Sequence, residues 1–230
     1  MKTALVLTLV LWGGPAAAAG PLVHGHRGCR ALWPENTLSA FAEALHLGAD
    51  VLELDMQVTK DDAIVVSHDS NIPPELCLGP DGRRLAAPVP IRTLTLPEVK
   101  AYDCGSMPNA RFPKQQARPG QRMPTLEEVF RLVENSAEPA AKTVQFNIET
   151  KLVPGKPEHA PEPAAFAALV VDLVRKHKLE PRVILQSFDQ RTLLAAKKLA
   201  PKLRPMSRMR RLGTPWDSRS CTASPYTGEK

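Results

Sequence analysis

Short apolar runs and amphipathic helical stripes take turns along most of this chain, and that alternation limits the fold more than any other feature. "PLVHGHRG" reads as a strand that ends in a loop. From Asn36 the apolar Leu38, Phe41, Ala42 and Leu45 fall at helical spacing, and Gly48 supplies a C-terminal stop. "VLELDMQV" alternates with a period of two, so it is a strand, and "AIVVSHD" is another. "TLEE" at Thr125 to Glu128 is a capping box, and Leu126, Val129, Phe130 and Val133 give the helix behind it a buried stripe. "TVQFNIETK" and "RVILQSFD" are strands too. A helix with Phe166, Leu169, Val170, Leu173 and Val174 on one face follows the first, and a helix from Asp189 to Leu199 follows the second. "PKLRPMSRM" begins a sixth strand. Alternation of this kind argues for an α/β fold with parallel strands. A chain of 230 residues, 43% of them apolar, can build the core of one large domain or of an α/β barrel with pieces missing.

The polar residues cluster where strands end. His26-Arg27, Glu53-Asp55, His68-Asp69, Glu149-Lys151 and Gln186-Ser187 each close or follow a strand. In a parallel barrel, functional groups gather at the C-terminal ends of the strands. Solvation alone explains one such cluster but not a consecutive series.

Residues two apart on a strand share a face. Glu53 and Asp55 therefore point together, while Leu52, Leu54 and Met56 face covering helices. Glu149 repeats the pattern, with Phe146 and Ile148 on the other side. Adjacent carboxylates repel, and a bound cation is the usual way to keep them ionised at neutral pH. Three inward carboxylates make an oxygen-rich site for a hard ion, Mg2+ or Ca2+. The same residues fit a structural ion network with Arg27 or Lys151 equally well, and both readings stand at this point. His26 and His68 can supply a general acid and a general base. Arg27 offers a planar fork for phosphate and Lys151 a point charge. Together these groups suit phosphoryl transfer, where positioning and charge neutralisation dominate. His24 reads as packed in its strand, His46 as a residue near a helix end, and His159 and His177 as surface residues.

With these motifs in order, "HRG", "PENT", "ELDMQVTKDDAIVVSHD", "PTLEEVF", "NIETK" and "LQSFD", the chain from about residue 22 to 200 resembles the glycerophosphodiester phosphodiesterase family. The resemblance implies a distorted (β/α)8 TIM-type barrel that hydrolyses glycerophosphodiesters to glycerol 3-phosphate and an alcohol. It implies Glu53, Asp55 and Glu149 as ligands of one divalent cation, Ca2+ or Mg2+. It makes His26 and His68 the acid/base pair, and Arg27 and Lys151 the phosphate contacts. It makes Glu35 a support beside Arg27 and Asn36 a residue of the site wall. Residues 70 to 122, rich in Pro, Gly and Arg, fall where the family carries a cap over the barrel mouth that helps choose the alcohol.

The ends of the chain read differently. Lys2, the apolar run Ala4 to Trp12 and the small residues Ala17 to Ala19 form a secretory leader, cleaved after about Ala19. The run is too short for a bilayer, which needs about 20 apolar residues, so the expected protein is periplasmic or secreted without stable membrane insertion. The net charge of +6 is concentrated from Arg204 onward, where Arg204, Arg208, Arg210, Arg211, Arg219 and Lys230 outnumber Asp217 and Glu229. The body is nearly neutral, and that argues against nucleic acid as a partner. The expected partner is a small-molecule diester. The layout is a leader at 1–19, a barrel at 20–203 with its insertion at 70–122, and a basic tail at 204–230 in which the last barrel strands are not visible and Trp216 lacks a strand-like context. This leaves as alternatives an inactive fragment, a module that only binds phosphodiesters, and a lysophospholipase D-like activity. Of the four cysteines, Cys77 and Cys104 are the pair expected to join in an oxidising compartment, and no Cys/His spacing points to zinc.

Overall fold

The structure, a computed structural model, describes residues 21–153 and 155–207. The leader, the tail beyond 207, Trp216 and Cys221 lie outside the described residues. In chain order the elements are β1 (His24–His26), α1 (Leu38–His46), β2 (Val51–Val58), β3 (Ile64–Val66), β4 (Asn71–Ile72), β5 (Val89–Pro90), α2 (Leu96–Lys100), α3 (Leu126–Glu134), β6 (Gln145–Thr150), α4 (Pro163–Lys176), β7 (Val183–Ser187), α5 (Gln190–Leu199) and β8 (Arg204–Ser207).

The main sheet runs β1-β2-β6-β7-β8, every neighbouring pair parallel. Spatial order equals chain order. A chain that keeps winding one way lays its crossover helices on one face and curls the sheet around the other, the TIM-barrel pattern rather than the doubly wound one. The strand side chains divide accordingly. Leu52, Leu54, Met56, Phe146 and Ile148 join one core with Phe41 of α1, Phe130 of α3 and Phe166 of α4. Glu53, Asp55, Asn147 and Glu149 alternate with them on the inner face. Burying each large apolar side chain is worth about 1.5–3 kcal/mol, so the outer face dominates the stability of the barrel wall.

The helix signals are realised locally. Thr37 caps α1 through its side chain, and Leu47 and Gly48 (φ +76°) end it. The Thr125–Glu128 capping box forms in full at α3. Asp189 caps α5. Within "PKLRPMSRM", Arg204–Ser207 form β8, paired with β7.

"AIVVSHD" departs from the parallel series. It forms β3, which pairs antiparallel with the far half of β2, Met56 facing Val66. Only residues 59–63 join the two strands, far fewer than the dozen or more that a parallel crossover needs. Asp62, at φ +61°, turns the chain back. β2 thus overshoots the site, and β3 returns to it. The return sets the Ser67 N–H on the Asp55 carbonyl at 2.9 Å, so His68 arrives beside Asp55.

A second, smaller core cluster lies beside the main one. Ile72, Cys77, Ile91, Val99, Tyr102 and Met123 pack together with Val65 of β3. Cys77 and Cys104 are joined by a disulfide. α2 opens on a second capping box, Thr95–Glu98.

Candidate active site

The loop after β1 is bent at three positions. Arg27, Gly28 and Asn36 all sit at positive φ (+56°, +78° and +55°). A Cβ on Gly28 would lie 2.7 Å from the Ala40 carbonyl carbon, so α1 can approach this loop only over a glycine. A left-handed arginine costs roughly 1–3 kcal/mol, the kind of strain that clusters at functional sites. The gain is direction. The Arg27 N–H donates to Glu53 Oε2 at 3.0 Å, Nη1 donates to Glu35 Oε1 at 2.6 Å, and Nε lies 3.3 Å from Asp55 Oδ2. Asn36 closes the loop, its N–H donating to the Arg27 carbonyl at 2.9 Å, and its Nδ2 reaches Asp55 Oδ2 at 3.5 Å.

Strand register supplies the floor. Glu53 lies opposite His26 and Asn147, and Asp55 opposite Glu149. Carboxylate oxygens of Glu53, Asp55 and Glu149 come within 4.8 Å of one another, and all three residues are buried. Lys151, just past β6, spans two of them, with Nζ 2.7 Å from Glu149 Oε1 and 3.1 Å from Asp55 Oδ1. Gln186 on β7 donates Nε2 to the other Glu149 oxygen and accepts from Asn147 Nδ2 at 3.1 Å.

The protein's own charges load these carboxylates unequally. Burial would push the Asp55 carboxyl up, but Lys151 and Arg27 hold it below its usual range. Burial and then the Asp55 charge push Glu53 up to about 8. Burial would lower the Arg27 pKa, yet Glu35 and Asp55 raise it. Burial and the nearby Arg30 and Arg27 lower His26 to about 3. His26 Nε2 lies 3.6 Å from Glu53 Oε2, which looks like an ion pair by distance. The carboxyl is raised and the imidazole lowered, so both shifts disfavour charge at this contact.

This imbalance bears on the two readings left open by the sequence. Arg27 and Lys151 form the ion network expected for Asp55 and Glu149. Among the described residues Glu53 accepts the Arg27 backbone N–H and has only His26 within ion-pair distance. Three buried carboxylates whose oxygens lie within 4.8 Å of one another fit a divalent cation, and the all-oxygen donor set is that of Mg2+ or Ca2+.

His68 Nδ1 and Asp69 Oδ1 lie 2.8 Å apart, and this hydrogen bond is the main cause of a lowered Asp69 pKa. The ionised carboxylate only accepts, so Nδ1–H donates and Nε2 is left for chemistry. All the residues expected from the sequence thus meet at one mouth, though His68 comes to it through the β3 return and Asp69. Asp69, Asn147 and Gln186 were missed as supports. The i, i+2 spacing of Asn147 and Glu149 carries that signal for Asn147. The other histidines differ from expectation. His24 is exposed at the sheet edge of the described residues. His159 is largely buried and bonds Ser70 at 3.0 Å. His177 packs 5.4 Å from the Phe130 ring and bonds Glu134 at 2.8 Å.

The profile of the glycerophosphoryl diester phosphodiesterase family matches residues 26–221. A protein of Caldanaerobacter subterraneus named glycerophosphodiester phosphodiesterase is 35% identical over 187 residues, 80% of this chain and 64% of that one. A Bacillus subtilis protein of the same name is 32% identical over 188 residues, 79% of this chain and 57% of that one. The chain therefore spans less than two thirds of the length of these relatives. The crystal structure of a candidate glycerophosphoryl diester phosphodiesterase from Silicibacter pomeroyi DSS-3 superposes with a TM-score of 0.73 at 30% identity, covering 81% of this chain and 65% of that one.

Proposed function

This chain belongs to the glycerophosphoryl diester phosphodiesterase family, and we propose that it hydrolyses glycerophosphodiesters to glycerol 3-phosphate and an alcohol with the help of one divalent cation, Ca2+ or Mg2+. The observation that carries this reading is the convergence of Glu53, Asp55 and Glu149 with Arg27 and Lys151 under two histidines. The cation would be held by the three carboxylates and would supply Lewis-acid charge neutralisation at the phosphate. Arg27, its fork fixed by Glu35, binds a non-bridging phosphate oxygen, and Lys151 adds a point charge. One of the two histidines takes the proton from the nucleophile, water or the substrate's own glycerol hydroxyl, and the other serves the leaving group. His68 is oriented for either role by its hydrogen bond to Asp69.

The test is release of glycerol 3-phosphate from glycerophosphocholine by the purified protein, with and without chelator. Turnover that needs Mg2+ or Ca2+ and falls about 10²-fold or more in His26→Ala and in His68→Ala supports the reading. Near-normal rates in both variants, or indifference to chelator, would sink it. The leader-like N-terminus and the Cys77–Cys104 bridge support an exported protein, since disulfides persist in oxidising compartments. Cell fractionation that leaves the protein in the cytoplasm would refute export.

A further inference from the structure

Arg27, Lys151 and Arg30 stand around the carboxylate floor, and the first two are already committed. Arg27 pairs with Glu35 at 2.6 Å and with Asp55 at 3.3 Å. Lys151 pairs with Glu149 at 2.7 Å and with Asp55 at 3.1 Å. Arg30, three residues beyond Arg27 in the same loop, has no such partner among the described residues. It is only 4% exposed, and its buried Nε has no hydrogen-bond acceptor there. What the guanidinium meets is a ring, its central carbon 4.9 Å from the centre of Phe112.

A guanidinium keeps its proton in a protein, so burial is not relieved by losing the charge. Taking a cation out of water without an anion beside it is costly, and a ring face offsets only part of that cost. The neighbours sharpen the demand. Burial and the charge of Arg27 lower the Arg30 pKa, while Glu35, which opposes them, is held by Arg27. Arg111 adds another like charge. Arg30 also opposes a charge on His26 more strongly than Arg27 does, which places its guanidinium beside the reacting groups. A buried fork of donors that no carboxylate of the chain neutralises is suited to an anion brought from outside.

We propose that Arg30 is a further substrate-binding residue, whose guanidinium donates charge-assisted hydrogen bonds to the phosphate of the diester. This rests on the phosphodiesterase reading above. Arg27 and Lys151 each balance floor carboxylates as well as meeting a ligand. Arg30 has no such internal duty, so its whole charge is available to the substrate. The Phe112 ring holds the guanidinium without using its N–H groups. Because its target is the phosphate, Arg30 serves every diester alike, whatever the alcohol. A purely structural Arg30 would instead be a latch that keeps Phe112 against the loop.

Three variants separate these roles. Arg30→Met removes the charge and keeps much of the bulk. Arg30→Lys keeps the charge without the fork, and Phe112→Leu removes the ring and leaves the charge. The full chain in Mg2+ is titrated calorimetrically with glycerol 3-phosphate. Its kcat and KM are measured for glycerophosphocholine and glycerophosphoserine, with thermal melts as the folding check. Arg30→Met should weaken glycerol 3-phosphate binding, and raise KM for both diesters, by about tenfold or more. Arg30→Lys should recover part of each loss and stay severalfold weaker than wild type. Phe112→Leu should change each quantity by less than about fivefold.

Wild-type binding and KM in folded Arg30→Met, or losses that Phe112→Leu reproduces in full, would make Arg30 a latch and overturn the assignment alone. A loss confined to glycerophosphoserine would put Arg30 on the serine carboxylate, and that overturns it too. If Arg30→Met does not fold, Arg30→Lys decides, and wild-type values there overturn the assignment. Wild type that hydrolyses neither diester overturns the phosphodiesterase reading, and this inference with it.

Discussion

On β2 and β6, strand register alone places Glu53, Asp55 and Glu149, whereas residues 70–122 are held by a covalent bond and side-chain latches. The floor residues are fixed by a hydrogen-bonded ladder whose other face is packed with Leu54, Phe146 and Ile148. The insertion holds to the barrel through individual side-chain and backbone contacts. The Arg118 guanidinium stacks 3.6 Å from the Trp33 ring, Arg30 lies 4.9 Å from Phe112, and the Gln116 N–H donates to the Leu32 carbonyl at 2.9 Å. The difference separates two duties. Changes in the floor should affect chemistry with every substrate, and changes in the insertion should affect choice among substrates.

The largest effect expected is from Asp55→Asn, which removes the carboxylate that Arg27, Lys151 and the proposed cation share. Turnover should fall at least about 10²-fold for all diesters alike. Stability should change little, because Glu149 still pairs Lys151 and Glu35 still pairs Arg27. Steady-state rates with two diesters and a thermal melt check both halves. A substrate-dependent loss would break the division between floor and insertion.

Next in size is Gln186→Leu. Its amide orients Glu149 from the neighbouring strand. Losing such an outer hydrogen bond typically costs 10- to 100-fold in metal affinity, which is about what calorimetric titration with Mg2+ or Ca2+ should show. Unchanged affinity would mean that Glu149 is held by Lys151 alone.

A smaller effect concerns pH. In the folded chain Glu53 keeps its proton up to about 8, while its ordinary value is 4.5. Between those values the folded state binds more protons than the unfolded state, so this group costs stability as pH rises. His26 works the other way. Lowered from 6.5 to about 3, it stays neutral when folded, and stability is lost as pH falls through that window. The chelated protein should therefore be most stable near roughly pH 5–6 by these two groups. A cation that replaces the Glu53 proton should raise the melting temperature more at pH 8 than at pH 5. Equal shifts at both values would show that Glu53 does not take part in binding.

The floor was legible in the sequence because a period of two fixes which side chains share a face, and "ELD" and "NIETK" carry that period plainly. The direction of β3 was not read, although the short link at 59–63 forbids a parallel crossover. Gln186 was seen as polar but given no role, because its bonds to Asn147 and Glu149 depend on the β6–β7 register, which one sequence does not reveal. In the insertion, Thr95-Leu96-Pro97-Glu98 repeats the capping pattern of Thr125–Glu128. It went unnoticed because α2 is too short to show an apolar stripe, with Val99 its only buried residue.

These two capping boxes give the finest probe of the comparison. Thr125→Ala uncaps α3, whose Leu126, Val129 and Phe130 belong to the main core. It should lower global stability by about 1 kcal/mol and speed amide exchange across the barrel wall. Thr95→Ala removes the same motif from α2, whose Val99 belongs to the satellite core instead. If the insertion is a separate cooperative unit pinned by its disulfide and latches, that change should speed exchange within residues 70–122 and leave β2 and β6 protected as before. Exchange measured by mass spectrometry separates the cases. Loosening of β2 by Thr95→Ala would mean that floor and insertion open together, and that selectivity and chemistry are not independently adjustable in this chain.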